Sequence, residues 1–200
     1  MQTIYKAMEK RQDRYYLYLR WPRYLAQWFA HEMYRLKNYE SETLPPFRYD
    51  CDVEPMELDV VETRRGSIER IIIEQCLAKQ PEAIPAPVPK DATICILIPE
   101  FLGKPTQYYN YLSPTSESLL EDTVRNHFRM ELVKYMNKVI FNCRAKRGGY
   151  APNKEKFLEA FLENNGIDYE HIKSVSTLWR RLYKQENRKI NSKKHENTRD

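Results

Sequence analysis

The amino-acid sequence predicts an α+β protein that is predominantly α-helical, with a few strands in its N-terminal half. Two observations predict this class: apolar residues recur at helical spacing along much of the chain, and one short apolar run indicates a buried strand. We expect a mixed region over 1–112, a helical and basic region over 113–189, and a disordered tail over 190–200.

The first predicted elements are a strand and a helix separated by a proline. Residues 15–21 are aromatic and β-prone, and Pro22 prevents a helix from running through them. Over 23–37, apolar residues recur every three to four positions and predict an amphipathic helix. Pro45 and Pro46 then end this part of the chain.

The middle of the chain predicts a strand followed by a short helix. Residues 56–60 largely alternate apolar and acidic side chains, as a half-buried strand does. Ser67 suits the N-cap of a helix over 68–79. Ile73 is expected on the outer side of this helix, whose buried stripe consists of Ile68, Ile71, Ile72 and Leu77.

A proline-rich segment and an apolar run come next. Four prolines fall within residues 80–90, and such a composition favours an extended connector. The run 92–98 is apolar and ends at Pro99, which predicts a strand buried on both faces.

The longest helix is predicted to begin at Ser113 and Pro114. Serine suits the N-cap and proline the first helical position. Apolar residues repeat every fourth position to about residue 142, and residues 144–149 supply the cations and glycines that commonly end helices.

Three shorter helices are predicted after this, and together they form a helix-turn-helix-like unit. They cover 154–163, 169–174 and 177–189, with Ser176 or Thr177 capping the third. In helix-turn-helix modules, a recognition helix lies in the major groove of DNA, where its outward polar side chains reach bases and phosphates.

Net charge is sorted along the chain. It is +4 over residues 1–40, −6 over residues 41–120 and +7 over residues 121–200. A compact helical module with a basic face attracts a phosphate backbone. The charge distribution therefore points to nucleic acid as a partner of the C-terminal region.

Basic side chains near the predicted third helix are the candidate nucleic-acid-binding residues. Arg181, Lys184 and Arg188 fall at i, i+3 and i+7 and share a face, from which guanidinium groups could contact guanine or phosphate. A solvated or protein-facing helix explains the same pattern equally well. The full candidate set is Arg144, Lys146, Arg147, Arg180, Arg181, Lys184, Arg188 and Lys189.

Three further segments combine cations with aromatic or flexible residues. The 143–150 segment could clamp a phosphate or stack a base, although cations and glycines also end helices. Residues 14–24 interleave arginine with aromatics as single-strand binders do, but such aromatics more often pack a core. Residues 64–67 place two cations and a hydroxyl at a helix N-terminus, where an anion or simple capping fits.

The sequence lacks the familiar catalytic, cofactor and metal motifs. It contains no Gly-x-x-x-x-Gly-Lys-Ser/Thr, no Gly-x-Gly-x-x-Gly and no Gly-x-Ser-x-Gly. The four histidines are isolated, and the carboxylate-rich stretch 50–59 lacks the glycine and terminal glutamate of a calcium loop. We therefore expect no enzymatic activity, no cofactor and no metal ion.

The cysteines and the hydropathy predict a cytoplasmic protein. The four cysteines are widely spaced without a Cys-x-x-Cys pair, which favours reduced thiols. The N-terminus lacks the apolar region of a secretory signal, and no stretch of 18 apolar residues occurs, so no membrane partner is expected.

The predicted function is binding of nucleic acid, with DNA favoured, by a regulatory or accessory protein. The basic, motif-poor sequence further suggests a protein of a mobile element or phage. The alternative is a non-enzymatic structural or assembly protein. In that case the acidic middle of one copy, or of a protein partner, meets the basic C-terminal surface of another.

Overall fold

The chain forms two compact units, Met1–Arg125 and Asn126–Asp200. The computed structural model describes residues 14–38, 47–81, 88–146 and 153–196, with the side chains of 143–146 and 186–196 left out. In the part described, the first unit carries the strands and the second is helical, which confirms the predicted α+β class.

Short strands organise the first unit. They are β1 (Tyr16–Leu19), β2 (Val60–Val61), β3 (Ala78–Lys79), β4 (Ile94–Leu97) and β5 (Tyr109–Tyr111). One sheet has the order β1–β4–β2, with β4 antiparallel to β1 and parallel to β2. The other sheet pairs β3 with β5 in antiparallel orientation.

The predicted apolar strand is the central strand β4, and it lies in the core. Ile94, Cys95 and Ile96 are all 0% exposed, so both faces of the strand are covered as predicted. Thr93 fastens the entry of β4 to the end of β1, because its hydroxyl accepts from the Trp21 N–H at 2.9 Å and donates to the Trp21 carbonyl at 2.7 Å.

The first helix, α1 (Arg23–Lys37), has the predicted bounds and begins directly after Pro22. Its apolar face is buried, with Leu25 and Phe29 fully inaccessible. The Trp21 ring meets Phe29 edge-on at 5.3 Å between centroids. This aromatic pair joins the end of β1 to α1. Within the segment 15–21, Leu17, Leu19 and Trp21 are buried in the core.

The second helix, α2 (Ile68–Cys76), faces the core with a different side from the one predicted. Ile73 is 0% exposed and Glu69 is buried beside it, whereas Ile68 is 57% and Ile71 is 43% exposed. The prediction is therefore wrong for Ile68, Ile71 and Ile73, whereas Leu77 is buried as predicted at 3% exposure. Four isoleucines on one short helix leave its inward face ambiguous in the sequence.

The ends of α2 are fixed by side chains. Ser67 accepts from the Arg70 N–H at 3.2 Å and is the N-cap, as predicted. At the other end, the Lys104 ammonium donates to the carbonyls of Gln75 at 3.2 Å and Leu77 at 3.1 Å. A cation at a helix C-terminus satisfies carbonyls that have no partner within the helix.

The strand predicted over 56–60 is reduced to β2. Residues 55–57 form a turn in which the Glu57 N–H donates to the Glu54 carbonyl at 2.7 Å. Met56 is consequently 56% exposed. The alternating pattern was misleading because Pro55 and the surrounding carboxylates favour a turn over a paired strand.

The long helix, α3 (Pro114–Lys146), begins at the predicted proline and belongs to both units. The Ser113 hydroxyl accepts from the Ser116 N–H at 3.2 Å and caps it. Within the second unit, Phe128, Leu132 and Met136 repeat at every fourth position and are each 0% exposed.

The second unit continues with α4 (Lys154–Asn164), a 3₁₀ turn (Tyr169–His171) and α5 (Ile172–Glu196). The helices predicted over 169–174 and 177–189 are thus not separate. Instead α5 runs through the expected break and on into the range expected to be a disordered tail. Residues 172–196 contain neither glycine nor proline, so no residue interrupts the helix.

Candidate nucleic-acid interface

The exposed side of α5 carries a row of cations. Lys173, Arg180 and Lys184 are all exposed. They are separated by seven and four residues, so at about 100° per residue they fall within about 40° of one another around the helix axis. We call these three residues the basic stripe.

The opposite side of α5 anchors the helix in the second unit. Val175 is 0% and Trp179 is 5% exposed. Across the interface, α4 buries Leu158 and Phe161, and the Phe161 ring lies 5.9 Å from that of Phe128. Burial of these side chains holds the basic stripe toward solvent.

A cleft lies between α4 and α5, with a volume of about 410 Å³. Leu158, Ile172 and Trp179 form its apolar part. We call it the α4–α5 cleft. Its polar lining consists of Lys154, Glu155, Lys173, Ser176, Thr177 and Arg180. The cleft therefore shares Lys173 and Arg180 with the basic stripe.

The cations of the cleft have no carboxylate partner in the part of the chain that the structure describes. Lys154, Lys173 and Arg180 form no ion pair there. The Lys154 ammonium instead lies over two aromatic rings, 5.3 Å from the centroid of Trp179 and 5.4 Å from that of Tyr183. Positive charge in the cleft is thus left for an external anion.

The two hydroxyls of the cleft differ in what they can do. Thr177 donates to the Lys173 carbonyl at 2.8 Å, so its proton is already committed within α5. Ser176 makes no side-chain hydrogen bond to any described residue. Ser176 is therefore the hydroxyl that can donate to a bound anion.

The N-terminus of α4 also borders the cleft. Asn153 caps this helix, its side-chain oxygen accepting from the Glu155 N–H at 3.1 Å. The positive end of the helix dipole adds to the potential of the three cations.

The predicted site residues divide into those that the structure places and those that it does not. Arg180, Arg181 and Lys184 are exposed on α5, with Arg181 about 60° around the helix from Lys184. The remaining predicted residues have side chains outside the described set, and Arg147 lies outside it entirely. These are Arg144, Lys146, Arg147, Arg188 and Lys189.

Sequence reasoning missed Lys154 and Lys173. The sequence pattern predicts Lys173 on a separate helix, 169–174, and this hides its spacing of seven from Arg180. A continuous helical spacing over 172–184, without glycine or proline, is the signal that could have found it. Lys154 comes from a different helix, and only the folded chain brings it to α5.

The other basic segments take structural roles where the structure describes them. Ser67 caps α2, so the hydroxyl of the 64–67 segment is engaged. In the aromatic segment, Leu17, Leu19 and Trp21 are buried in the first unit.

The described residues contain no group of three or more His, Cys, Asp or Glu side chains arranged to hold a metal ion. They also contain no helix that is both long and apolar enough to cross a membrane. Cys51, Cys76 and Cys95 form no disulfide bond among the described residues.

Comparison of the chain with models of protein families, with curated proteins and with solved structures finds no significant match. Function is therefore inferred from the side chains of α4 and α5 themselves.

Proposed function

We propose that this protein binds nucleic acid, duplex DNA in preference, through the exposed side of α5. The observation that carries the proposal is the basic stripe, three exposed cations on one side of a single anchored helix. A helix of this kind fits the major groove, and its cations neutralise phosphates on the groove walls. Arg181 extends the positive surface and can contact a base edge or a phosphate.

Binding of this type depends steeply on salt. Each phosphate neutralised releases counterions and contributes a slope of roughly −0.9 to log K against log salt for duplex DNA. The three cations of the stripe together with Arg181 imply a slope of roughly −3 to −4 from the described surface alone.

Fluorescence anisotropy of a labelled duplex, titrated at several salt concentrations, tests the proposal. The substitution Lys184→Gln should weaken binding and make the slope shallower by about 1. Lys138→Gln is the matched control, because Lys138 is also an exposed lysine of the second unit but lies on α3.

Charge reversal gives the stronger version of the test. The double variant R181E/K184E should lose duplex binding while its circular dichroism and melting temperature stay those of the wild type. Wild-type protein that shows no salt-dependent binding to any duplex or single strand contradicts the proposal.

The biological setting follows as part of the same proposal. A small chain with one nucleic-acid surface and no proposed catalytic group suits a regulatory or accessory protein, for example of a mobile element or phage. The free thiols are consistent with a cytoplasmic location, where thiols stay reduced.

A second candidate function is self-association, favoured by the surface of the first unit. Ile68 and Ile71 project from α2 at 57% and 43% exposure. The nearby sequence stretch 50–59 presents exposed carboxylates that complement a basic surface.

Light scattering at low and high salt, without nucleic acid, separates the two functions. A salt-sensitive oligomer that dissociates in R181E/K184E supports self-association. A monomer at all protein concentrations excludes it.

A further inference from the structure

We infer that the α4–α5 cleft binds a terminal phosphate of a nucleic-acid strand, a monoester at its 5′ or 3′ end. The inference rests on the proposed function and adds which chemical group of the nucleic acid enters the cleft. Charge, shape and hydrogen-bond donors each support it.

The charge of the cleft matches a dianion. Lys154, Lys173 and Arg180 supply three positive charges and Glu155 one negative charge, and none of the three cations is neutralised by an ion pair among the described residues. A phosphate monoester carries about −1.5 to −2 at pH 7. An internal phosphodiester carries a single negative charge and would leave part of the net positive charge of the cleft uncompensated.

The shape of the cleft favours a group that projects. A strand passing along the surface presents each internal phosphate flanked by sugars on both sides, so that phosphate contacts exposed cations without entering a recess. A terminal phosphate has only one sugar attached. A volume of about 410 Å³ is sufficient for the phosphate and this sugar.

The donors suit three free phosphate oxygens. The Arg180 guanidinium can form two parallel hydrogen bonds to a phosphate, whereas Lys154 and Lys173 act as point charges. The Ser176 hydroxyl can add a neutral donor, whereas the Thr177 hydroxyl already donates a hydrogen bond to the Lys173 carbonyl. The residues expected to touch the phosphate are thus Lys154, Lys173, Ser176 and Arg180.

Recognition should be indifferent to the terminal base. The Lys154 ammonium lies over the rings of Trp179 and Tyr183, and Trp179 is only 5% exposed. A base at the cleft therefore finds little open face of Trp179 to stack on. Strands ending in any of the four bases should bind equally well.

The experiment compares one oligonucleotide sequence with a 5′-phosphate, with a 3′-phosphate or with hydroxyls at both ends, single-stranded and as a duplex, by anisotropy at fixed salt. One of the phosphorylated forms should bind about tenfold more tightly than the hydroxyl form, because charged hydrogen bonds are gained. Inorganic phosphate at millimolar concentration should reduce this advantage.

Two double variants separate the cleft from the rest of the surface. K173Q/R180Q should abolish the preference for a phosphorylated end. R181Q/K184Q removes the same charge outside the cleft, so it should weaken all oligonucleotides while keeping the preference. Lys154→Gln provides a third, single-site test from α4 and should reduce the preference.

The outcomes distinguish this inference from the proposed function. Salt-dependent binding with equal affinity for phosphorylated and hydroxyl ends overturns the inference and leaves the proposed function standing. A preference that survives in K173Q/R180Q also overturns it. Absence of nucleic-acid binding under every condition overturns both.

Discussion

The ammonium of Lys154 lies 5.3 Å from the ring centroid of Trp179. Lys154 belongs to the first turn of α4 and Trp179 to the buried side of α5, so the contact joins the two helices that form the cleft. The contact places a cation over the Trp179 ring and holds that cation at the cleft.

The first prediction concerns this contact. Lys154→Met keeps the apolar stem but removes the charge, so it should lower the free energy of unfolding by about 0.5–1 kcal/mol. Urea unfolding followed by circular dichroism measures the change. Lys156→Met, at an exposed position of α4 outside the cleft, is the control, and an equal loss in both variants contradicts the role of the ring contact.

The second prediction tests which side of α2 faces the core. Ile73→Ala should lower the free energy of unfolding by about 2–5 kcal/mol, because it leaves a cavity around a side chain that is 0% exposed. Ile71→Ala removes the same atoms from a position 43% exposed, and should cost less than about 1 kcal/mol. A larger loss in Ile71→Ala than in Ile73→Ala would contradict the buried position of Ile73 and support the orientation predicted from the sequence.

The third prediction concerns Tyr49, which is 1% exposed. Its hydroxyl donates to the Asp59 carbonyl at 3.0 Å and accepts from the Cys95 N–H at 3.1 Å. Burial raises the pKa of this phenol far above its usual range, so the hydroxyl stays protonated and keeps both bonds.

Tyr49→Phe should therefore lower the free energy of unfolding by about 1–3 kcal/mol, since it removes the hydroxyl bonded to both backbone groups. Chemical denaturation measures this. Tyr108→Phe, at a position 60% exposed, should change the stability little, and comparable losses in the two variants would argue against the buried network.

The fourth prediction is a pH dependence due to His31. Burial lowers the pKa of this imidazole, opposed by Glu32 and reinforced by Arg35, and its Nδ1 is buried without a hydrogen-bond partner among the described residues. The folded state thus binds a proton less readily than the unfolded state, whose histidine titrates near about 6.5.

The contribution of neutral His31 to the free energy of unfolding should therefore be fully present above about pH 6.5. It should be lost as the pH falls from about 6.5 through the lowered pKa of the folded state. His31→Gln should flatten this part of the profile. Urea unfolding at a series of pH values between about 5 and 7.5 provides the measurement, and an unchanged slope in the variant would assign the dependence to other groups.

Much of the fold could be predicted because strong local signals agree with the tertiary packing. Pro22 and Pro114 mark the starts of α1 and α3, and the 92–98 run is apolar enough to be the central strand. The fixed backbone angle of proline favours a helix start at both places. The apolar run can be covered on both faces only inside the core, which favours a buried strand.

The candidate site was predicted only in part, because hydroxyl residues have two local roles. Ser176 and Thr177 suggested a helix cap and hence a break before Arg180. In the structure the Thr177 hydroxyl bonds to the Lys173 carbonyl, four residues back within the same helix. Capping and back-bonding use the same residue types, and here the helix continues with Val175 buried at 0% exposure.

The pairing of Tyr16 with Leu97 has a consequence for the order of assembly. Translation adds roughly 5–20 residues per second, so β1 is synthesised several seconds before β4. Until β4 is made, the tyrosines of β1 have no partner strand. The described part of the second unit, 126–146 and 153–196, is helical, so its contacts are mostly local and should form quickly once translated. We therefore expect the slow phase of refolding to report on the sheet. The helical surface proposed to meet nucleic acid should form in the fast phase.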